Sequence, residues 1–490
     1  MKTTWFAGIG IAAAALCLSG APTVGRPRPH VFHEENVLGT SFELKLAAST
    51  PEAAEAAETA ALAEIARESA ILSSWDSASE FSRWFRTQGL PVRVSPELFE
   101  VLGLFDTWRV RTGGALDASA EVVTRAWKTA AEQKRTPTAD ELARAVAEVR
   151  RPHWTLDAAA HTATHLDDAP LALNSFVKSY IMDHAADAAL RAPGVTGAVL
   201  NIGGDLVVRG SIAEPVQIAD PLSDAENSAP AATLTVQDRA VATSGGYRRG
   251  FDIAGRHYSH IVDPRTGQPT GAILSATVIA PRPADAGALA TAFCVLTPEE
   301  SRRVAATVPG AEYLLIAANG RRIASPGFAA AIPLPVPQAA ADEVAVSFEL
   351  AQLGGFARRP YVAIWIEDKD KFPVRTLALW YQKPRWLPEL KAWYRDDRMR
   401  SMAEGNDISA SVASATRPAG KYNVKWDGKD NAGKPVKPGK YTVCIEAARE
   451  HGTYGIMRQE IEFGGAPEHF TVPGNQEIAS ATIDYRKAAH

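Results

Sequence analysis

Apolar residues recur at helical spacing in four stretches of the first 330 residues. Short runs rich in Val, Ile, Leu and Thr, bounded by turn residues, alternate with them and follow them. The predicted helices cover residues 51–72, 94–110, 138–150 and 176–191, and the predicted strands cover residues 41–47, 197–202, 205–210, 214–219, 231–236, 274–280 and 312–317. A mixture of helices and short strands predicts an α+β domain, which we place at residues 30–330.

The pattern changes after a segment rich in Pro and Ala. Prolines at alternate positions favour an extended linker, which we place at residues 331–343. Beyond it the runs have the character of strands, so residues 344–490 predict a small all-β sandwich domain. Its predicted strands are residues 344–350, 361–367, 374–380, 439–447 and 457–463, and four tryptophans interpreted as core are Trp365, Trp380, Trp386 and Trp393.

The first 21 residues have the pattern of a secretory signal peptide. Lys2 precedes an apolar run from Trp5 to Leu18, and small residues follow it. The run is shorter than the ~20 apolar residues that span a bilayer. We therefore expect Sec-type export to the periplasm, with an N-terminus anchored in the membrane, or lipidated at Cys17, as the alternatives.

Charge and cysteine content exclude several classes of protein. The 52 Lys and Arg residues nearly balance the 56 Asp and Glu residues, for a net charge of −4. The sequence also has no stripe of basic residues, so it does not predict nucleic-acid binding. The 46% hydrophobic content predicts a globular chain with a real core. Cys294 and Cys444 both lie in apolar runs and are interpreted as buried hydrophobic residues rather than disulfide partners or nucleophiles.

Residues 259–267 (Ser-His-Ile-Val-Asp-Pro-Arg-Thr-Gly) concentrate polar chemistry in a loop. Asp-Pro and Thr-Gly break regular structure. His260 can move protons near neutral pH, and Arg265 can hold phosphate oxygens. The segment thus predicts either a phosphate or acid–base site, or a hydrogen-bonded structural turn. Three other histidines, His153, His161 and His165, surround a predicted hairpin and are expected to face solvent rather than bind a metal.

Lys178 lies in the first turns of a predicted helix, where a cation is disfavoured by the helix dipole. A bound anion would explain it; a lysine extended along the surface is the alternative. Two Gly-Gly segments, at 113–114 and 203–204, permit sharp bends or close approach of a ligand, and each is followed by an aspartate.

Taken in order, these segments resemble the ApbE family, the FAD:protein FMN transferases, from about residue 34 to residue 332. The markers are Leu-Gly-Thr at 38–40, Ser-Ser-Trp at 73–75, Ser-Glu at 79–80, Gly-Gly-Ala-Leu-Asp at 113–117, Lys178 with Asp183, Asn-Ile-Gly-Gly-Asp at 201–205, Ala-Thr-Ser-Gly at 242–245, residues 260–267, Asp285, and Ala-Thr at 290–291. The resemblance implies a mixed α/β fold that binds FAD.

The resemblance also implies a reaction. FAD is the substrate, Mg²⁺ the cofactor, AMP the leaving group, and FMN becomes esterified to a Ser or Thr of an acceptor protein. No acceptor motif is recognised in this chain, so the acceptor is expected in trans, as a membrane-associated redox protein outside the cytoplasm. A divalent ion suits the cleavage of a pyrophosphate.

The implied site residues follow by position. His260 is the candidate for the acid–base or phosphate-contacting role. The residues expected to line FAD are Leu38, Trp75, Ala115, Leu116, Asp117, Lys178 and Ile261. The expected metal ligands are the carbonyl of Ser175, the carboxylate of Asp285 and the hydroxyl of Thr291. One departure concerns the metal: the family pattern has an aspartate four residues before the threonine, and that position is Gly287.

Residues 344–490 resemble the DUF2271 family, through segments 360–368, 374–380 and 385–393. We assign no chemistry to this domain. Two alternatives to the transferase stay open. In one, water replaces the protein hydroxyl, and the protein is an FAD pyrophosphatase that yields FMN and AMP. In the other, Gly287 marks a catalytically weak FAD-binding or scaffold protein.

Overall fold

A computed structural model describes residues 29–223, 225–331, 342–353, 358–381, 384–405, 408, 413–414, 416–450 and 452–487. The predicted signal peptide and nearly all of the predicted linker lie outside these residues. The helices are α1 Pro51–Leu72, α2 Glu80–Phe85, α3 Pro96–Arg111, α4 Ala120–Glu132, α5 Ala139–Val149, α6 Val177–Leu190, α7 Pro283–Val295, α8 Pro298–Ala305, α9 Pro326–Ala331 and α10 Lys391–Glu404. A 3₁₀ turn covers Pro384–Glu389.

Twenty-six strands are described: β1 His30–Val37, β2 Thr40–Ala48, β3 Pro91–Arg93, β4 Trp154–Asp157, β5 Thr162–His165, β6 Val195–Ile202, β7 Asp205–Gly210, β8 Ala213–Ile218, β9 Ala232–Gln237, β10 Ala240–Gly245, β11 Gly250–Ile253, β12 Arg256–Ser259, β13 Val262–Asp263, β14 Gln268–Pro269, β15 Ile273–Ala280, β16 Glu312–Ala317, β17 Arg322–Ala324, β18 Glu343–Leu350, β19 Tyr361–Asp368, β20 Pro373–Trp380, β21 Ala413–Ser414, β22 Gly420–Trp426, β23 Gly439–Ala448, β24 Tyr454–Phe463, β25 Glu468–Val472 and β26 Ile478–Arg486.

The first domain is built on an eight-stranded sheet with the order β1-β2-β6-β7-β10-β15-β16-β17. Alternate residues of each strand face opposite sides of it. In β6, Leu200 and Ile202 join the core shared with α1, α6 and α7, while Val199 joins the core beneath β8 and β9. The sheet is therefore covered on both faces, and its strand ends lie beside the helix termini that form the candidate site.

The second domain packs a four-stranded sheet, β22-β18-β26-β25, against a five-stranded sheet, β21-β20-β19-β23-β24. Their facing residues form one core with Trp380 and Trp426 among them. The predicted fold class, a mixed α/β domain followed by a small all-β sandwich, is confirmed. Trp365, Trp380 and Trp393 are buried as predicted, while Trp386 is half-buried.

Helix α10 was not predicted within the β domain. Its first backbone N–H groups, those of Ala392 and Trp393, donate to the buried carboxylate of Glu446 at 2.9 and 2.8 Å. Glu446 belongs to β23, more than fifty residues further along the chain, and local sequence holds no sign of such a cap. A tertiary contact thus caps the N-terminus of this helix, in a region where the local pattern predicted strands.

Helix α7 also has no amphipathic pattern, because ten of its 13 residues are buried. The predicted burial of both cysteines is confirmed, since Cys294 and Cys444 are buried and unpaired. Burial raises the pKa of the Cys294 thiol to about 12, which leaves it protonated and unreactive at neutral pH. Among the residues that the structure describes, no helix has both the length and the apolar character needed to cross a membrane.

Candidate active site

Lys178 lies in the first turn of α6 and is held by the neighbouring sheet. Its Nζ is 2.9 Å from Oδ2 of Asp205 and donates to the Ile202 carbonyl oxygen at 3.1 Å. The other oxygen of Asp205 accepts a hydrogen bond from the Thr243 N–H at 3.2 Å. An ammonium group has three donors. Two of them are engaged here, so one remains to bind an anionic ligand at the helix N-terminus.

Two tight turns lie side by side at this edge of the sheet. The turn at residues 203–204 joins β6 to β7, and a Cβ atom on Gly203 would come within 2.8 Å of the Thr40 side chain. Gly203 also has φ +58°, which favours glycine. The opposite turn contains Leu38, itself at φ 50°. The close contact brings the Leu38 turn next to the strand ends that hold Lys178.

A polar cluster joins the segment before α6 to α7. The Thr291 hydroxyl donates to the Ser175 carbonyl at 3.2 Å and lies 3.2 Å from the Ser244 hydroxyl at the end of β10. Two of the three predicted metal ligands, Ser175 and Thr291, are thus brought together. Asp205 and Ser244 were not among the predicted site residues; their signal was that each lies next to a glycine within a marker motif of the family resemblance, residues 201–205 and 242–245.

Gly287 lies on the face of α7 that carries Thr291. A Cβ atom on Gly287 would be 2.7 Å from the Ser179 hydroxyl and 3.3 Å from Cα of Phe176, so this face packs directly on the start of α6. Residues four apart share a face of a helix, whereas residues six apart do not. Asp285 accordingly has other charged neighbours, Arg282, Arg111 and Asp183. The pKa of its carboxyl is raised, mainly by burial; the two arginines oppose this shift and Asp183 adds to it.

The residues present do not by themselves complete a Mg²⁺ site. Mg²⁺ binds oxygen ligands that usually include one or two carboxylates. The Ser175 carbonyl and the Thr291 hydroxyl are neutral oxygens that already bond to each other, and Gly287 supplies no ligand. Asp285 lies on a different face of α7, so its predicted role as a ligand stays a prediction.

His260 follows the hairpin formed by β11 and β12. Its ring is exposed, and its Nδ1–H donates to the Arg249 carbonyl at 3.0 Å, which leaves Nε2 free to accept a proton. The pKa of His260 is lowered, mainly by partial desolvation and also by the charges of Arg249 and His257. The hydrogen bond to the Arg249 carbonyl opposes this shift. Ile261, the next residue, packs against the core of the first domain.

The rest of this motif forms a structural turn. The Asp263 carbonyl accepts hydrogen bonds from the N–H groups of Thr266 and Gly267 at 3.2 and 2.8 Å. The Arg265 guanidinium is bound by the Asp263 carboxylate at 2.9 and 3.0 Å and lies 3.3 Å from Glu300. Of the two alternatives for residues 259–267, the structural turn therefore describes residues 263–267, and His260 is the accessible part.

The segment at 112–117 lies beside that turn, with Gly113 exposed and residues 115–117 buried. Ala115 and Leu116 are each 2% exposed and belong to the domain core. The Asp117 carboxylate is 3.0 Å from the Arg109 guanidinium and accepts hydrogen bonds from the N–H and hydroxyl of Ser119 at 2.8 and 2.7 Å. A ligand that contacts the Asp117 carboxylate would therefore bind beside Arg109 and Ser119, which already contact it.

Trp75 is the most exposed large apolar side chain described, at 88%. It lies in the loop between α1 and α2, where its backbone N–H donates to the Ser73 hydroxyl. A free indole face can stack on an aromatic ring system. The predicted contact of Trp75 with FAD stays a prediction.

Two clusters of carboxylates and histidine lie outside this site, Glu64 with Glu68 and His184, and Glu148 with His153 and Asp167. An arginine bridges the carboxylates of each: Arg67 lies 2.7 and 3.2 Å from Glu64 and Glu68, and Arg151 lies 3.0 and 3.3 Å from Glu148 and Asp167. The positive charge that a metal would supply is thus already provided by an arginine.

The prediction that three histidines face solvent was wrong. His153 and His165 are each 1% exposed, and His161 stacks on Phe99 with ring centroids 4.5 Å apart. Asp167 pairs with His153 at 3.0 Å, and Phe85 packs against the ring of His165. These partners come from other elements, so the local hairpin pattern did not reveal the burial.

Comparisons with known proteins agree with this fold. The ApbE family model matches residues 38–315, and the model of DUF2271, described as a predicted periplasmic protein, matches residues 343–480. The FAD:protein FMN transferase of Klebsiella pneumoniae is 26% identical over 329 residues, which cover 64% of this chain and 93% of that protein. The enzyme of the same name from Treponema pallidum is 28% identical over 345 residues, which cover 65% and 93%.

A solved structure agrees at the level of the fold. The crystal structure of the ApbE protein from Thermotoga maritima aligns with a TM-score of 0.55 at 24% identity, over 62% of this chain and 100% of that chain. The family match spans more than half of the chain and includes the Lys178 segment, the 203–204 turn and α7. The chain therefore belongs to the ApbE family.

Proposed function

We propose that this protein is an FAD:protein FMN transferase. The observation that carries the proposal is the position of Lys178. Its ammonium is held by Asp205 and the Ile202 carbonyl at the start of a helix, with a donor to spare, where the Leu38 and 203–204 turns and the Ser175–Thr291 contact converge. A fixed cation at a helix N-terminus suits a pyrophosphate. Curated members of the family carry this activity in their names.

In the proposed reaction, a Ser or Thr hydroxyl of the acceptor attacks the phosphorus on the FMN side of the pyrophosphate. The bond from that phosphorus to the bridging oxygen breaks, and AMP leaves with that oxygen. Lys178 stabilises negative charge on the phosphate oxygens. The hydroxyl proton passes to the free Nε2 of His260, which acts as general base. Trp75 and Leu38 supply apolar surface for the ring systems of FAD.

Three further details belong to the proposal. Flavin transfer requires an acceptor, and we propose a separate protein in that role because no acceptor motif is recognised in this chain; that it is a membrane-associated redox protein stays a prediction of the family resemblance. The reaction takes place in the periplasm, which agrees with the description of DUF2271 as a predicted periplasmic protein. Mg²⁺ dependence stays a prediction of the family resemblance, and we derive no step through the ion. Gly287 favours the second candidate function, a catalytically weak FAD-binding protein.

One experiment distinguishes the candidates. The purified protein is incubated with FAD and Mg²⁺ or EDTA, with and without a purified redox protein that carries a flavin-acceptor Ser or Thr. AMP and FMN are followed by chromatography, and flavin on the acceptor by in-gel fluorescence. AMP release with labelled acceptor establishes the transferase, whereas AMP with free FMN and no label identifies a pyrophosphatase. FAD binding without AMP under either condition contradicts an active enzyme.

The proposed role of His260 predicts a pH dependence. Because its pKa is below the usual 6.5, the ring is neutral at pH 7 and able to accept a proton. AMP release should rise with pH on an acidic limb below pH 6.5 and then level off, in a rate profile measured from about pH 5 to about pH 8. The substitution His260→Asn should lower the rate and remove the limb.

His257 provides the matched control. It lies on the same hairpin, but its hydrogen bond to Asp252 raises its pKa. The substitution His257→Asn should keep the acidic limb and move it to higher pH, because the charge of His257 no longer lowers the pKa of His260. A profile in which the His257 variant loses the limb and the His260 variant keeps it would contradict the assignment.

A further inference from the structure

The two domains are joined by a contact that continues a β-sheet. β22 is an edge strand, so the outward backbone groups of Asn423 and Lys425 have no strand partner. Asn227, in the loop between β8 and β9, supplies one: its Nδ2 donates to the Lys425 carbonyl and its Oδ1 accepts from the Lys425 N–H, both at 2.7 Å. The Glu226 N–H donates to the Asn423 carbonyl at 2.7 Å.

Glu226 extends this contact towards the candidate site. Its carboxylate, 15% exposed, lies 2.8 Å from Arg248 of the first domain and 3.4 Å from Arg417 of the second. Arg248 immediately precedes Arg249, whose carbonyl accepts hydrogen bonds from both the N–H and the Nδ1–H of His260. The β domain is therefore linked, through one carboxylate, to the backbone segment that orients His260.

A second contact lies beside the other loop of the site. The carboxylate of Glu35, in β1, accepts a hydrogen bond from the Thr416 hydroxyl at 2.8 Å and lies 3.4 Å from Arg359. Glu35 is three residues before Leu38. These two contacts between the domains thus adjoin segments that carry predicted site residues, Leu38 in one and His260 and Ile261 in the other.

We propose that the C-terminal domain is a positioning domain for the FAD site, which it serves by docking on the segments that carry Leu38 and His260. The proposal rests on the proposed function, since that function gives these segments their role. Loops hold few buried contacts of their own, and a ligand that must order them binds less tightly than one that meets them already ordered. Docking supplies this order before FAD arrives.

The test uses the full-length protein with two variants at the contacts, Glu226→Gln with Asn227→Ala, and Thr416→Val. Glu460→Gln is the matched control, because Glu460 forms an exposed ion pair with Lys440 inside the β domain, away from the first domain. Hydrogen exchange of residues 34–40 and 247–260 is measured by mass spectrometry without FAD. FAD affinity is measured by flavin fluorescence, and circular dichroism verifies folding.

We expect exchange of residues 247–260 to rise about tenfold in the Glu226/Asn227 variant, since loss of two or three hydrogen bonds shifts an opening equilibrium by at least that factor. In the Thr416 variant the rise should be confined to residues 34–40. FAD should bind the Glu226/Asn227 variant about tenfold more weakly, with the control unchanged in both measurements.

Unchanged exchange, or faster exchange with wild-type FAD affinity, overturns the proposal. If the wild-type protein binds no FAD, the proposed function fails, and the exchange data still decide whether the domain orders the loops.

Discussion

Replacing Lys178 with methionine is expected to lower the rate of AMP release from FAD by about 10²-fold, the usual effect of losing one preorganised donor to a reacting oxyanion. Methionine keeps the apolar stem of the side chain but removes the charge that Asp205 and the Ile202 carbonyl hold in place. The measurement is initial-rate chromatography of AMP at saturating and subsaturating FAD.

Lys45 provides the control for loss of a lysine ion pair. It lies on β2, where its Nζ is 2.6 Å from Glu214 and 3.3 Å from Glu43. Lys45→Met should leave AMP release within about twofold of the wild-type rate, because Lys45 and its partners Glu214 and Glu43 are not among the residues of the candidate site. A Lys178→Met protein that unfolds at the wild-type temperature and retains full activity would contradict the role of Lys178.

Replacing Gly287 with aspartate is expected to tighten Mg²⁺ binding at least tenfold, because loss of even an outer partner of a metal ligand typically costs about 10–100-fold in affinity and a carboxylate adds a direct ligand. The new carboxylate would lie on the face of α7 that carries Thr291, towards Ser175. Without metal the variant should be less stable by about 1–3 kcal/mol, because its Cβ meets the Ser179 hydroxyl and the Phe176 backbone. Isothermal titration and thermal unfolding, with and without Mg²⁺, measure both effects.

Gly287→Ala separates crowding from coordination. It introduces the same Cβ without a carboxylate, so it should lose stability with no recovery on addition of Mg²⁺. A second variant, Gly287→Asp with Ser179→Ala, removes the hydroxyl that would lie 2.7 Å from the added Cβ and should recover part of the stability. If Mg²⁺ stabilises the alanine and aspartate variants equally, position 287 does not contact the metal.

Local pattern was sufficient for some elements only: α2, α4, α8 and α9 were not predicted, although α8 carries a capping box of Thr297 and Glu300. α1 was predicted at the residues it occupies, because its apolar positions repeat at helical spacing in a segment rich in Ala and Glu; the structure adds the cap, in which the Thr50 side chain accepts from the Ala53 N–H. α7 and α10 were not predicted, since α7 is buried on almost every side and α10 is capped by Glu446 from a distant strand. Tertiary contacts decided both helices.

The candidate site shows the same division. The position of Lys178, unfavourable for a cation on local grounds, indicated an anion site before its partners were known. Its partner Asp205 was found only in the structure, because the pairing joins a helix to a strand 27 residues away. Arg265 was interpreted from the sequence as able to hold phosphate oxygens. In the structure it is instead bound by Asp263 and Glu300 in a turn. Whether a polar side chain is free or already paired depends on neighbours that sequence order does not reveal.

The most direct test of the central claim is a crystal structure of the protein with FAD. The account predicts the pyrophosphate within hydrogen-bond distance of Lys178 Nζ, beside the Ser175–Thr291 contact, with His260 facing the phosphate on the FMN side. FAD bound elsewhere, or a pyrophosphate that leaves Lys178 paired only with Asp205 and the Ile202 carbonyl, would contradict it.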